Sequence, residues 1–180
     1  MPNWCDCELH IWGKRPELVK FRDFARGEPA SDTAVPGQIQ VLSEKPFIPY
    51  PAEQFAERAE EIEAEHLTLT ERVIKRIQGG HAPSGYSSGG YEWCIANWGT
   101  KWGFCNPVLA HDGQKKLLYE FESAWSPPSP LIRKMGEMFP QLKFRLLYFE
   151  GSCAFQGCLE MEGGICTEDE TSSYSGRRGG

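Results

Sequence analysis

Residues Trp4 to Trp12 alternate without interruption: Cys5, Cys7, Leu9 and Ile11 fall in one phase, and Trp4, Asp6, Glu8, His10 and Trp12 in the other. A period of two is that of a strand with one face in a core and the other in solvent. The chain must therefore build a sheet and cover one side of it. A cover follows directly. Gly13 ends the strand, Pro16 stands in a first helical turn where a missing N–H is tolerated, and Leu18, Phe21, Phe24 and Ala25 recur at helical spacing as far as Gly27.

Residues 28–51 carry five prolines around one apolar piece, Ile39 to Leu42, and read as a long loop with at most one short strand. Residues 52–78 read as helical, with Phe55, Ala59, Ile62, His66, Leu69, Val73 and Ile77 on one stripe. Thr68 followed by Glu71 is a capping-box pattern, which predicts a break near Leu67. The Gly/Ser-rich residues 84–90 lack the Lys-Ser/Thr of a phosphate-cradling loop and read as a linker or lid. Residues 91–98 are then predicted as a strand, residues 99–103 as a turn, and residues 116–125 as a strand sharing one mixed sheet with the first. Ser129 as N-cap and Pro130 as first helical residue open a helix through Met138, and residues 143–150 and 154–162 are two more strands. The polar tail, residues 167–180, reads as disordered.

A length of 180 residues suits one domain with an insertion. The expected division is a single domain over residues 1–166, with a helical and loop insertion at about residues 28–90, followed by the tail. Without the insertion the order is strand, helix, strand, strand, helix, strand and an extra C-terminal strand. This is an α+β, ferredoxin-like (split βαβ) sandwich.

The segments Pro2-Asn3-Trp4-Cys5, Asn97-Trp98-Gly99-Thr100-Lys101-Trp102-Gly103, Phe121-Glu122-Ser123-Ala124-Trp125-Ser126-Pro127-Pro128 and Tyr148-Phe149-Glu150 resemble the ferredoxin-like domain of YubB-like hypothetical proteins. The resemblance spans nearly all of residues 1–166. It implies the same fold and a setting in a phage or conjugative plasmid of a bacterial host. It brings no settled activity, no catalytic residue and, despite the fold's name, no iron–sulfur cluster.

Charge narrows the function. Nineteen Lys and Arg against 25 Asp and Glu leave a net charge of −6, the wrong sign for binding nucleic acid by counterion release. No apolar run reaches a membrane span and no leader pattern opens the chain, so a cytoplasmic location is expected, with no membrane or nucleic-acid partner. Seven cysteines without a two-residue spacing read as reduced thiols. A zinc site combining Cys5 and Cys7 with Cys153 and Cys158 would need those strands to be neighbours.

The strand side facing away from the helices is acidic: Asp6, Glu8, His10, Glu120, Glu122, Glu160 and Glu162, with Lys143 or Arg145 as compensation. Such a face repels phosphates. Tryptophans gather at strand ends and in the 99–103 turn, where core packing would be served by Leu or Phe. Trp98, Lys101, Trp102 and Trp125, with Arg133 nearby, are the expected ligand-binding residues: an aromatic slot with cations at its rim. No cysteine and histidine stand in a dyad pattern, and no catalytic residue, metal or cofactor is assigned. The expectation is a non-enzymatic accessory protein that binds a small nucleotide-like ligand or a host protein, with counter-defence as the biological role that the resemblance suggests. The alternative is a metal-dependent hydrolase built on open-face carboxylates such as Glu8, His10 and Glu120.

Overall fold

A computed structural model describes residues 3–29, 37–51, 53, 55, 68, 71 and 90–174. Its elements are β1 (Trp4–Trp12), α1 (Arg15–Phe24), α2 (Gly90–Trp98), β2 (Cys105–Asp112), β3 (Lys116–Ala124), α3 (Ser129–Met138), β4 (Lys143–Glu150), β5 (Phe155–Glu162) and β6 (Ile165–Ser173). The strands form one six-stranded sheet in the order β2-β3-β1-β4-β5-β6. Every pairing is antiparallel, so the sheet is not mixed. β1 lies inside the sheet with β3 on one side and β4 on the other.

The alternation of β1 has the consequence expected of it. Cys5, Leu9 and Ile11 are fully buried and Cys7 nearly so. Register carries the same face across the sheet: Ile11 lies between Leu117 and Phe144, and Leu9 between Tyr119 and Leu146. Both flanking helices pack on this face. From α1, Phe21 meets Phe144 and Tyr119 with ring centroids 5.4 and 6.2 Å apart. From α3, Leu131, Ile132 and Met135 are buried in the same cluster. Gly136 lets α3 press on β5, because a Cβ there would stand 2.6 Å from the Met161 Cβ.

Three further expectations are corrected. Residues 91–98 form helix α2, not a strand, because Cys94 and Trp98 at a spacing of four are buried together and the Asn97 side chain donates to the Trp93 carbonyl at 2.9 Å. The strand predicted there is supplied by β2, which runs through Pro107 with two register shifts against β3. An outer strand tolerates both features, which blunt the period-two signal. The helix expected to be capped by Ser129 starts one residue earlier in register: Pro128 is the capping residue and no side chain caps it. Finally, most of the residues read as tail are ordered. Gly163 and Gly164, at φ 62° and 82°, form a two-residue hairpin turn, and β6 pairs with β5 as far as Ser173.

Residues 37–51 are less of a loop than their prolines suggest. Gln40 bridges Gly27, the Ser43 N–H donates to the Ala25 carbonyl at 2.8 Å, and Leu42 and Phe47 enter the core. The helical stripe over residues 52–78 lies mostly outside the described residues. At its expected break, the Thr68 N–H and hydroxyl donate to the Glu71 carboxylate at 2.8 and 2.6 Å, and the Glu71 N–H returns to Thr68 Oγ1 at 3.4 Å.

Two outcomes follow from this packing. Leu9→Ala removes a fully buried side chain from the central strand and is expected to cost about 2–5 kcal/mol in chemical denaturation; a neutral result would contradict the face assignment. Asp112 at the end of β2 accepts bonds from Arg15 and Arg22 of α1, and these hold its carboxyl below the ordinary value. A depressed carboxylate contributes stability above its unfolded pKa, about 3.9, which is lost as pH falls through the folded value. Asp112→Asn is therefore expected to be less stable than the parent at neutral pH, with the difference closing in denaturation curves taken below about pH 4.

Candidate binding face

The other phase of β1 faces away from the helices and sets out three chemistries in order along one strand. At the start stands Trp4, in the middle Asp6 and Glu8, and at the end His10 and Trp12. Each extends sideways by register. Asp6 lies between Glu122 and Phe149, Glu8 between Glu120 and Leu147, His10 between Leu118 and Arg145, and Trp12 between Lys116 and Lys143. On the far side, Glu160 opposes Glu168 and Cys158 opposes Glu170.

Acid therefore faces acid across strands in three places, Asp6 with Glu122, Glu8 with Glu120, and Glu160 with Glu168. The cations of β4 do not reach the first two pairs. Lys143 binds Glu160 and Glu162 at 3.0 and 3.2 Å, and Arg145 binds Glu160 at 3.2 Å. Glu122 accepts a bond from the Asn106 amide at 3.0 Å, and Glu8 lies 3.2 Å from His10 Nε2. Neither Glu8, Glu120 nor Glu122 pairs with a Lys or Arg among the described residues. These carboxylates, with Glu168 and Glu170, line a trough of about 1080 Å³ in which Arg145 is the one lysine or arginine among the described lining residues.

The histidine beside the trough is biased toward its neutral form. Burial, then the nearby Lys116 charge, lower the His10 pKa against the opposing pull of Glu8. At the start of β2, burial, then the charges of Glu44 and Glu122, push the Cys105 thiol up to about 12, away from the thiolate form. Among the described residues no three His, Cys, Asp or Glu side chains are grouped so as to hold a metal ion, Glu8, His10 and Glu120 included. The composite cysteine site is not assembled either. Cys5 and Cys7 point into the core, Cys158 lies on the open side of β5, and β4 separates the two strands.

The aromatic end is held by the 99–103 turn. Gly99 and Gly103 adopt φ of 78° and 71°, the Thr100 hydroxyl donates to the Ala124 carbonyl at 2.8 Å, and the Ser126 hydroxyl donates to the Gly99 carbonyl at 2.6 Å. The buried Glu44 carboxylate accepts the Phe104 N–H, and a Cβ on Gly103 would fall 2.0 Å from its Oε1. This fixed turn presents Trp102 with its centroid 6.0 Å from Trp4, and Lys101 Nζ 4.4 Å from the Trp102 ring and 6.0 Å from that of Tyr91.

The five residues expected to form a ligand slot do not converge. Lys101 and Trp102 are together. Trp98 is 2% exposed; its indole N–H donates to the Ile48 carbonyl at 2.8 Å and its ring packs against Trp93 and Tyr50, which is core packing. Trp125 is exposed at a positive φ of 72°, its N–H donating to the Asn3 carbonyl. Arg133 pairs with Asp169 on the helix side of the sheet. The sequence reading missed Glu168, Glu170 and Tyr174 as trough residues. The Gly163-Gly164 pair between two polar stretches was the signal for the hairpin that brings them there.

Comparison with known proteins bears on the fold. Residues 97–177 match the family model described as the ferredoxin-like domain in Api92-like protein. The whole chain is similar in structure to the crystal structure of a protein api92 from Yersinia pseudotuberculosis, with a TM-score of 0.56 at 11% identity over 98% of this chain and 99% of that one. No curated protein matches. The C-terminal part of the chain is thus similar to a ferredoxin-like domain, and the chain is similar in fold to an api92 protein.

Proposed function

We propose that this chain is a non-enzymatic binding protein whose open sheet face takes a positively charged segment of a partner protein. The observation that carries the reading is the facing of carboxylates in the middle of the sheet. Like charges directly opposite each other on paired strands are destabilising by about 0.2–1 kcal/mol per pair, and folding alone would be better served by almost any other polar residue. A cationic partner turns that repulsion into attraction and speeds encounter by steering. The indoles of Trp4 and Trp102, at one end of the face, suit arginine or lysine as cation–π partners.

The other readings have less support. A nucleotide-like ligand in the tryptophan slot would have Lys101 and Trp102 but neither Trp98 nor Arg133. A metal-dependent hydrolase finds no convergent donor set among the described residues. The setting in a phage or plasmid, the host protein as partner, the counter-defence role and the cytoplasmic location rest on the resemblance of the motifs quoted above; consistent with the last, no helix among the described residues is long and apolar enough to cross a membrane. The finer description of the fold, two split βαβ units with the 28–90 insertion, is supported by the order β2-β3-β1-β4.

The test uses an arginine-rich nonapeptide as probe, followed by calorimetry at low salt. Binding is expected to weaken as salt rises and to fall roughly tenfold or more in the Glu8→Gln, Glu120→Gln, Glu122→Gln triple variant. Denaturation of the same variant is expected to show equal or greater stability, since the repulsion of about 0.2–1 kcal/mol per pair is relieved. Undiminished peptide binding by a folded triple variant would refute the reading.

A further inference from the structure

A second depression lies at the opposite end of β1 from Trp4, where the turn into α1 meets the β2–β3 hairpin. It is a cleft of about 580 Å³ lined by Trp12, Gly13, Lys14, Arg15, Gln114 and Lys115. Backbone bonds tie its walls together: the Gly13 N–H donates to the Lys115 carbonyl at 3.2 Å, and the Gly113 N–H to the Lys116 carbonyl at 2.9 Å. Lys14 and Lys115 are thereby carried on two adjacent turns whose spacing is fixed.

In a chain of net charge −6, this corner is positive. The acids around it are taken up by other cations: Asp112 by Arg15 and Arg22, Glu17 by Lys20 at 2.8 Å, and Glu160 and Glu162 by Lys143. Lys14 and Lys115 form no ion pair with any described residue, and Lys116 lies 5.5 Å from the centre of the Trp12 ring. Helix α1 adds the partial positive charge of its N-terminus, which no side chain caps. Trp12 is half-buried, with its ring stacked on His10 at a centroid distance of 5.7 Å; of its two cross-strand neighbours, Lys143 is engaged by Glu160 and Glu162 and Lys116 is the cation beside the indole.

The geometry points to a site for a free nucleoside phosphate, with phosphate oxygens between Lys14 and Lys115 at the start of α1 and the base against Trp12. The cleft volume lies in the range of small-molecule sites, about 300–1000 Å³. The acidic rows do not forbid it. Glu8 lies four residues from Trp12, about 13 Å along an extended strand, whereas charges in solvent are screened beyond about 8–10 Å at physiological salt. The acidic trough farther along the same face would repel a phosphate backbone that crossed it, which favours a free nucleotide over a strand.

The experiment is a titration of the isotopically labelled full chain with ADP, read by amide and indole NMR shifts. Saturable shifts are expected at the Trp12 indole N–H and at the Lys14 and Lys115 amides. Affinity is expected to fall roughly tenfold or more in the Lys14→Ala, Lys115→Ala double variant and in Trp12→Leu, to be kept in Trp12→Phe, and to be roughly tenfold weaker for inorganic phosphate. Retained amide dispersion reports that each variant is folded. No binding of ADP, shifts clustered elsewhere, or equal affinity in the folded lysine variant would overturn the site. Phosphate binding as tight as ADP would overturn the aromatic contact, and a single-stranded oligonucleotide binding more tightly than ADP would overturn the free nucleotide as ligand.

Discussion

Burial of the Cys5, Cys7, Leu9 and Ile11 face of β1 is the constraint from which the rest of the molecule follows. Because β1 is hydrogen-bonded on both sides, by β3 and β4, its pleat fixes which side chains of both neighbours enter the core. A slip of one residue in either pairing would move Asp6 and Glu8 into the apolar layer beneath α1 and α3, at a cost that no local contact offsets. The same register that seats Leu9 against Tyr119 and Leu146 therefore places Glu8 opposite Glu120. The acid face is not an independent decoration of the surface. It is the reverse side of the core, held by the same hydrogen bonds.

That coupling gives the open face a polarity along the strand. Indoles stand at one end, carboxylates in the middle, and cations with a further indole at the other. The charges on β4 keep these regions distinct. By engaging Glu160 and Glu162, Lys143 and Arg145 separate the acids of β5 from the cations around Trp12, and the row of Glu8 and Glu120 has no lysine or arginine partner among the described residues. A surface so divided favours separate ligands of opposite charge over one large neutral ligand, and the spacing of the regions along β1 is enough for screening to let both exist.

The indole end shows how far a binding surface depends on buried groups. Trp102 is presented by a turn that Glu44, Thr100 and Ser126 fasten from beneath, and Glu44 comes from a segment far away in sequence. A carboxylate 1% exposed is costly unless its bonds are made, so the position of this turn and the ordering of residues 43–48 are set together. Trp98 belongs to the same support, since its indole N–H holds the Ile48 carbonyl.

Local period was enough to identify β1, α1, β3, α3 and β4, and with them the ferredoxin-like class and the acidic side of the sheet, because in each the alternation or helical spacing comes from burial on one face only. It failed where long-range packing, not local pattern, chose the conformation. Residues 91–98 are apolar enough for a strand, yet Cys94 and Trp98 meet the core only on a helix. β2 at the sheet's outer edge has a proline and bulges that erase its alternation, and β6 is a polar strand formed because β5 offered an unpaired edge after a Gly-Gly turn. The tryptophans were visible in composition, but only the tertiary structure could divide them. A side chain's type says that it can pack or bind, whereas its neighbours decide which: Trp98 was sealed by Ile48, Tyr50 and Trp93, while Trp102 and Trp12 were left at the ends of the open face.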